Sequence, residues 1–152
     1  MKRPTYSEGD WFAVPIGRGG QALGIVARAN PKGVVMGYFF GPRLHQIPDL
    51  AAVTRFKPEN AVLAAIFGDQ GLRQRRWIVI GRAEGWRREA WPIPVFVRHE
   101  ELTGRSYRVH YDPDDPNRVV NELLIPPGVD EYGPSDDLFG ALALEKVLAR
   151  MM

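Results

Sequence analysis

Apolar residues fall along this chain in short runs broken by glycine, proline and asparagine, and the spacing within the runs changes from one part to the next. Asp10 to Ile16, Gln21 to Ala29 and Val34 to Phe40 are rich in Val, Ile, Phe, Tyr and Trp and are bounded by turn residues, a pattern that predicts three consecutive strands. Gly17-Arg18-Gly19-Gly20 joins the first two, where glycine reaches positive φ at low cost. Asn30-Pro31-Lys32-Gly33 joins the next two in the residue order of a type I turn. Such a meander buries at least one face. Gly41-Pro42 is expected to end it, and residues 1–8 read as a polar lead-in, loose until Gly9.

Further along, Pro48 to Val53 predicts a short helix with proline in its first turn. Ala61 to Phe67 and Arg76 to Arg82 are near-continuous apolar runs, read as a buried hairpin. Pro92 and Pro94 keep Glu84 to Pro94 irregular. Val95 to Val97 reads as a short strand, and Ser106 to Tyr111 as a longer one in which Tyr107, Val109 and Tyr111 alternate with Ser106, Arg108 and His110. Asp112 to Asn117 then forms a loop and Arg118 to Ile125 the last strand. The final element is a helix capped by Ser135 or Asp136, with acidic residues in its first turn and a stripe of Leu138, Phe139, Leu142, Val147, Leu148 and Met151 that should pack on the sheet. These elements define an α+β class: a mainly antiparallel, strongly curved sheet, capable of curling toward a barrel, with a C-terminal helix. Without repeats or linkers, residues 1–152 are expected to be one domain. Trp11 and Trp77 are expected core rings.

Composition narrows the chemistry. The 152 residues include no cysteine, so disulfides and thiolate metal sites are excluded and a reducing compartment such as the cytoplasm suits the chain. No apolar leader follows Met1, and no window approaches the ~20 apolar residues of a membrane span. The net charge is only +2, but residues 1–111 carry 17 Lys and Arg against 9 Asp and Glu, whereas residues 112–152 carry 3 against 9. The two regions either neutralise each other within the fold or present opposite charges to partners.

Enzyme motifs fail for physical reasons. After Gly17-Arg18-Gly19-Gly20, Ala22 and a strand stand where a dinucleotide loop needs glycine and a helix N-terminus. Gly104-Arg105-Ser106-Tyr107-Arg108 lacks the second glycine of a nucleophile elbow. A calcium loop starting at Asp112 would put Asn117 in place of glycine and Leu123 in place of glutamate. His45, His99 and His110 lack zinc spacing. No catalytic residue, metal or cofactor is therefore assigned. Two segments instead place arginines beside aromatics, Leu72 to Trp77 and Gly85 to Trp91. From them Arg73, Arg75, Trp86, Arg87 and Arg88 are candidate partner-binding residues, and the acidic turn adds Asp112, Asp114 and Asp115. The same residues also read as a solvated hairpin tip and a solvated acidic turn.

The strand-rich blocks carry a family likeness. Gly9-Asp10-Trp11-Phe12-Ala13-Val14-Pro15-Ile16, a Gly-rich turn, Ala22-Leu23-Gly24-Ile25-Val26 and Gly37-Tyr38-Phe39-Phe40 resemble the immunity protein 26 family of bacterial polymorphic-toxin systems. Ile66-Phe67 followed by Arg76-Trp77-Ile78-Val79-Ile80-Gly81 is similar to that family's downstream segment, so the likeness spans the first half to two thirds of the chain. The resemblance implies a non-enzymatic cytoplasmic protein whose partner is a cognate toxin domain. A small β-barrel that binds nucleic acid through the basic, Arg/Trp-rich face is the alternative. Its affinity would fall steeply with salt.

Overall fold

The computed structural model describes residues 5–152. Of the polar lead-in, residues 1–4 lie outside the described residues, and Thr5 to Glu8 are ordered by contacts. Tyr6 is 7% exposed and its hydroxyl donates to Asp69 at 2.7 Å, so this ring belongs to the core.

The expected meander forms with β1 at Asp10–Pro15, β2 at Gln21–Ala29 and β3 at Val34–Leu44, paired antiparallel in sequence. Both turns close as their residues dictate. Gly17, Arg18 and Gly19 all adopt positive φ, Gly33 N donates to Asn30 O, and the Asn30 side chain accepts from Lys32 N and Val34 N. The meander does not end at Gly41-Pro42. Leu23 pairs with Phe40 and Gln21 with Leu44, so Gly41, Pro42 and Arg43 face the single residue Ala22. Proline sits in that bulge, where the missing N–H breaks no ladder bond.

Strands β4 (Leu63–Gly68) and β5 (Ile78–Arg82) form but are not the expected hairpin. Strand β4 pairs with β3 and β5 pairs with β1, at opposite sides of the meander. The chain crosses between them through a one-turn helix, α2 (Gln70–Arg73), because Leu72 and Trp77 are drawn into the core instead of into a turn. A one-turn helix α1 at Leu50–Val53 is capped by Asp49, whose side chain accepts from Ala52 N, so Pro48 precedes the helix.

Three further strands make a second antiparallel sheet: β6 (Phe96–His99), β7 (Ser106–Asp112) and β8 (Asp115–Leu124). The expected loop after Tyr111 shrinks to Pro113-Asp114, because Asp112 pairs with Asp115 and its carboxylate accepts from Asp114 N. The C-terminal helix starts later than expected. Leu138–Phe139 form strand β9, parallel to β4 at Ile66 and Phe67, and helix α3 spans Ala141–Met151 with Gly140 as its N-cap. Ser135 and Asp136 therefore do not cap it, and its first turn holds no acid. Its buried face is Ala141, Leu144, Glu145 and Leu148, whereas Leu142 and Met151 point to solvent.

The main sheet has the order β5-β1-β2-β3-β4-β9 and stays open at both edges, so it does not close into a barrel. Both of its faces are buried, which explains apolar runs without strict alternation. Phe12, Val26, Phe39 and Phe67 point to one side, against Leu72, Trp77, Leu144 and Leu148. Trp11, Ile25, Met36, Tyr38 and Phe40 point to the other, against Val53, Trp91, Phe96 and Val109. Phe12 stacks on Trp77 at 5.8 Å with the rings 5° from parallel and meets Phe39 edge-on at 5.7 Å. Gly24 leaves room for these rings: a Cβ there would lie 2.6 Å from Phe12 Cζ and 2.9 Å from Phe39 Cε1.

Candidate functional site

Among the described residues three charged clusters are built around a buried charged side chain, and two of these join the basic N-terminal part to the acidic C-terminal part. The first surrounds Arg28, a cation inside an otherwise apolar strand and only 5% exposed. Its guanidinium donates to Ala27 O at 2.6 Å, Pro113 O at 2.8 Å, Trp91 O at 2.9 Å and Arg88 O at 3.3 Å. It thereby ties β2 to the Glu84–Pro94 segment and the β7–β8 turn. Burial, then the nearby Arg88 charge, lowers its pKa. Beside it Arg88 bridges Glu8 at 2.8 Å and Asp114 at 2.6 Å, and Asp115 accepts from Asn30 Nδ2 at 3.0 Å. Hydrogen bonds from Asn117 N and the Asn30 side chain hold the Asp115 carboxyl below the usual carboxylate range.

The second cluster is Asp69, 6% exposed, which accepts from Tyr6 and pairs with Arg73 at 2.6 Å. Burial, then the bond to Asp69, pushes the Tyr6 phenol up. The third docks helix α3. Glu145, 8% exposed, receives a forked pair of 2.7 Å bonds from Arg76 and a 2.9 Å bond from the indole N–H of Trp77.

Arg76, foremost, holds the Glu145 carboxyl below its usual 4.5. A carboxyl whose pKa is depressed on folding adds stability that is fully present above 4.5 and is lost as pH falls through the lower folded value. The stability advantage of wild type over Glu145→Gln should therefore shrink on acidification below pH 4.5, as read by urea unfolding across a pH series. An advantage that does not change with pH would show that the charge does not dock the helix.

Against this frame the candidate residues divide. The second Arg/Trp segment and the acidic turn come together, since Arg88 meets Asp114 directly and Arg28 holds both backbones. Asp112 also pairs with Arg118, at 3.6 Å. Arg73 and Arg75 sit on the crossover between β4 and β5, apart from that cluster. Arg73 is taken by Asp69, while Arg75 is exposed, at φ 58°. Arg87 is exposed as well. Trp86 is packed against the body and stays partly exposed. Its ring lies over Gly9, where a Cβ would approach it to 2.7 Å, and Arg82 stacks on it at 5.2 Å. With Trp11, Phe56 and Trp91 it lines a cleft of about 160 Å³, and its indole N–H is buried without an acceptor.

Sequence reasoning missed Arg28 and Glu145. The signal for Arg28 was a charge between Ala27 and Ala29 in an apolar run, and for Glu145 an acid on the apolar face of a helix. Among the described residues no group of three or more His, Asp or Glu could hold a metal ion, and no helix is long and apolar enough to cross a membrane. His99 Nδ1 lies 2.8 Å from Ser106 Oγ, a cross-strand pair between residues directly opposite in the β6–β7 ladder.

A mixed six-stranded sheet and a three-stranded antiparallel sheet share a core, and an ion pair helps to dock the C-terminal helix on the larger one. The model of the family described as Immunity protein 26 matches residues 7–108, and the chain belongs to that family. Searches of curated proteins and of solved structures returned no match.

Proposed function

We propose that this chain neutralises a cognate bacterial toxin domain in the cytoplasm, by binding it stoichiometrically and without catalysis. The observation that carries this reading is the family match over residues 7–108, which spans β1 to β5 and the start of the second sheet. The architecture supports it. A sheet buried on both faces and pinned by Arg28 and Glu145 offers a preorganised surface, and preorganisation raises affinity by reducing the ordering cost of association. Arg75 and Arg87, exposed cations on the two Arg/Trp segments, are free to meet a partner, and Arg73 stays exposed beside Asp69. Asp114 is three-quarters exposed and remains accessible beside Arg88.

The nucleic-acid alternative draws less support, because Arg76, Arg88 and Arg98 spend charge on Glu145, Asp114 and Glu122. Co-expression with the proposed cognate toxin domain tests the proposal. Rescue of host growth together with co-purification of the two chains is the expected result. Growth arrest with no complex would overturn it.

A further inference from the structure

On the helix side of the main sheet a groove runs between the β1–β2 hairpin and the outer surface of α3. Its two halves share Ile16, Gly17 and Ala149 as lining and have volumes of about 610 and 420 Å³. Basic residues line it, Arg18, Arg43 and His45 toward one end and Lys146 toward the other, beside Arg76, whose charge is taken by Glu145. The one acid in its wall is Glu145, and both of its oxygens are occupied by Arg76 and Trp77. Arg18 and Lys146 are exposed, and among the described residues neither side chain makes a hydrogen bond or an ion pair. Arg43 is held in place by donating to Ile16 O and Gly17 O, so its charge is fixed at the hairpin. The floor is apolar, formed by Ile16, Ala149 and Met152, and Leu142 stands on the rim 62% exposed.

We infer that this groove receives an acidic peptide segment of the toxin domain; the inference rests on the immunity reading above. A cationic groove attracts a carboxylate-bearing chain by charge complementarity, which raises the association rate and fixes register. Single-stranded nucleic acid fits the groove less well. It gains much of its affinity by stacking bases on aromatic rings, and no Phe, Tyr or Trp lines this groove.

The test is titration of the toxin domain with wild type, the double variant Arg18→Glu/Lys146→Glu and the control Arg105→Glu, at low and high salt. Arg105 lies in the β6–β7 turn, on the far side of the main sheet, and all three substituted side chains are exposed, so unfolding midpoints should match wild type. The double variant is expected to bind about tenfold or more weakly at low salt, with the gap narrowing at high salt, while Arg105→Glu stays within about twofold. Equal affinity of wild type and double variant would overturn the groove assignment and leave the immunity reading standing. Absence of any complex with wild type would overturn both. Salt-sensitive binding of an oligonucleotide that the double variant loses, and that displaces the toxin from wild type, would replace the peptide with nucleic acid.

Discussion

Replacing Trp77 with alanine is expected to destabilise the protein by about 3–5 kcal/mol, the range for deleting a fully buried aromatic ring. In a chain of this length that lowers the thermal midpoint by roughly 10 °C. Three contacts are lost together: the parallel stack on Phe12, the tilted contact with Phe67 at 5.5 Å and the hydrogen bond to Glu145. The last matters beyond its own strength, because it is one of the three hydrogen bonds that hold Glu145 of helix α3. A Trp77→Phe variant keeps most of the ring and leaves Glu145 to Arg76 alone. It should fall between wild type and alanine. Scanning calorimetry that found Trp77→Ala as stable as wild type would remove this ring from the core.

The second large effect is expected at Arg28. Substituting Arg28→Met keeps the aliphatic stem but removes the donors for Ala27 O, Trp91 O, Pro113 O and Arg88 O. A buried cation is not stabilising in itself, and replacing one together with its partners can be neutral. Here the partners are backbone carbonyls that stay behind, and unpaired buried acceptors cost about 1–3 kcal/mol each, less than additively. A loss of about 2–4 kcal/mol follows. Arg28→Lys should recover only part of it, because one ammonium lacks the planar fork needed to reach all four. Hydrogen exchange locates the effect. Protection should drop first in Glu84–Pro94 and at the β7–β8 turn, the segments that Arg28 ties to β2, whereas uniform loss across the main sheet would contradict the clamp.

Local patterns carried much of the fold. The three strands of the meander, both of its turns and the burial of Trp11 and Trp77 followed from residue types a few positions apart, and the family likeness rested on those same residues. What the sequence could not express was pairing at a distance. Ala61 to Phe67 and Arg76 to Arg82 look like two arms of a hairpin, yet Leu72 and Trp77 gain more by entering the core than a turn would gain between them. Leu138-Phe139 have helical spacing with Leu142, but the free edge of β4 offers them a ladder and the helix begins only at Ala141. The candidate site shows the same limit. Arg88 and Asp114 were both picked out, 26 residues apart, with no local sign that each would satisfy the other. The basic groove on α3 left even less trace, because its five basic residues come from four separate segments.

The central claim is that this chain inhibits a toxin by binding it. The most direct measurement is calorimetric titration of the purified protein into the proposed cognate toxin domain, with the toxin's activity followed across the same titration. Saturation at one-to-one stoichiometry, with activity lost in step with complex formation, is the expected result. Full toxin activity in the presence of excess protein, with no heat of binding, would contradict it.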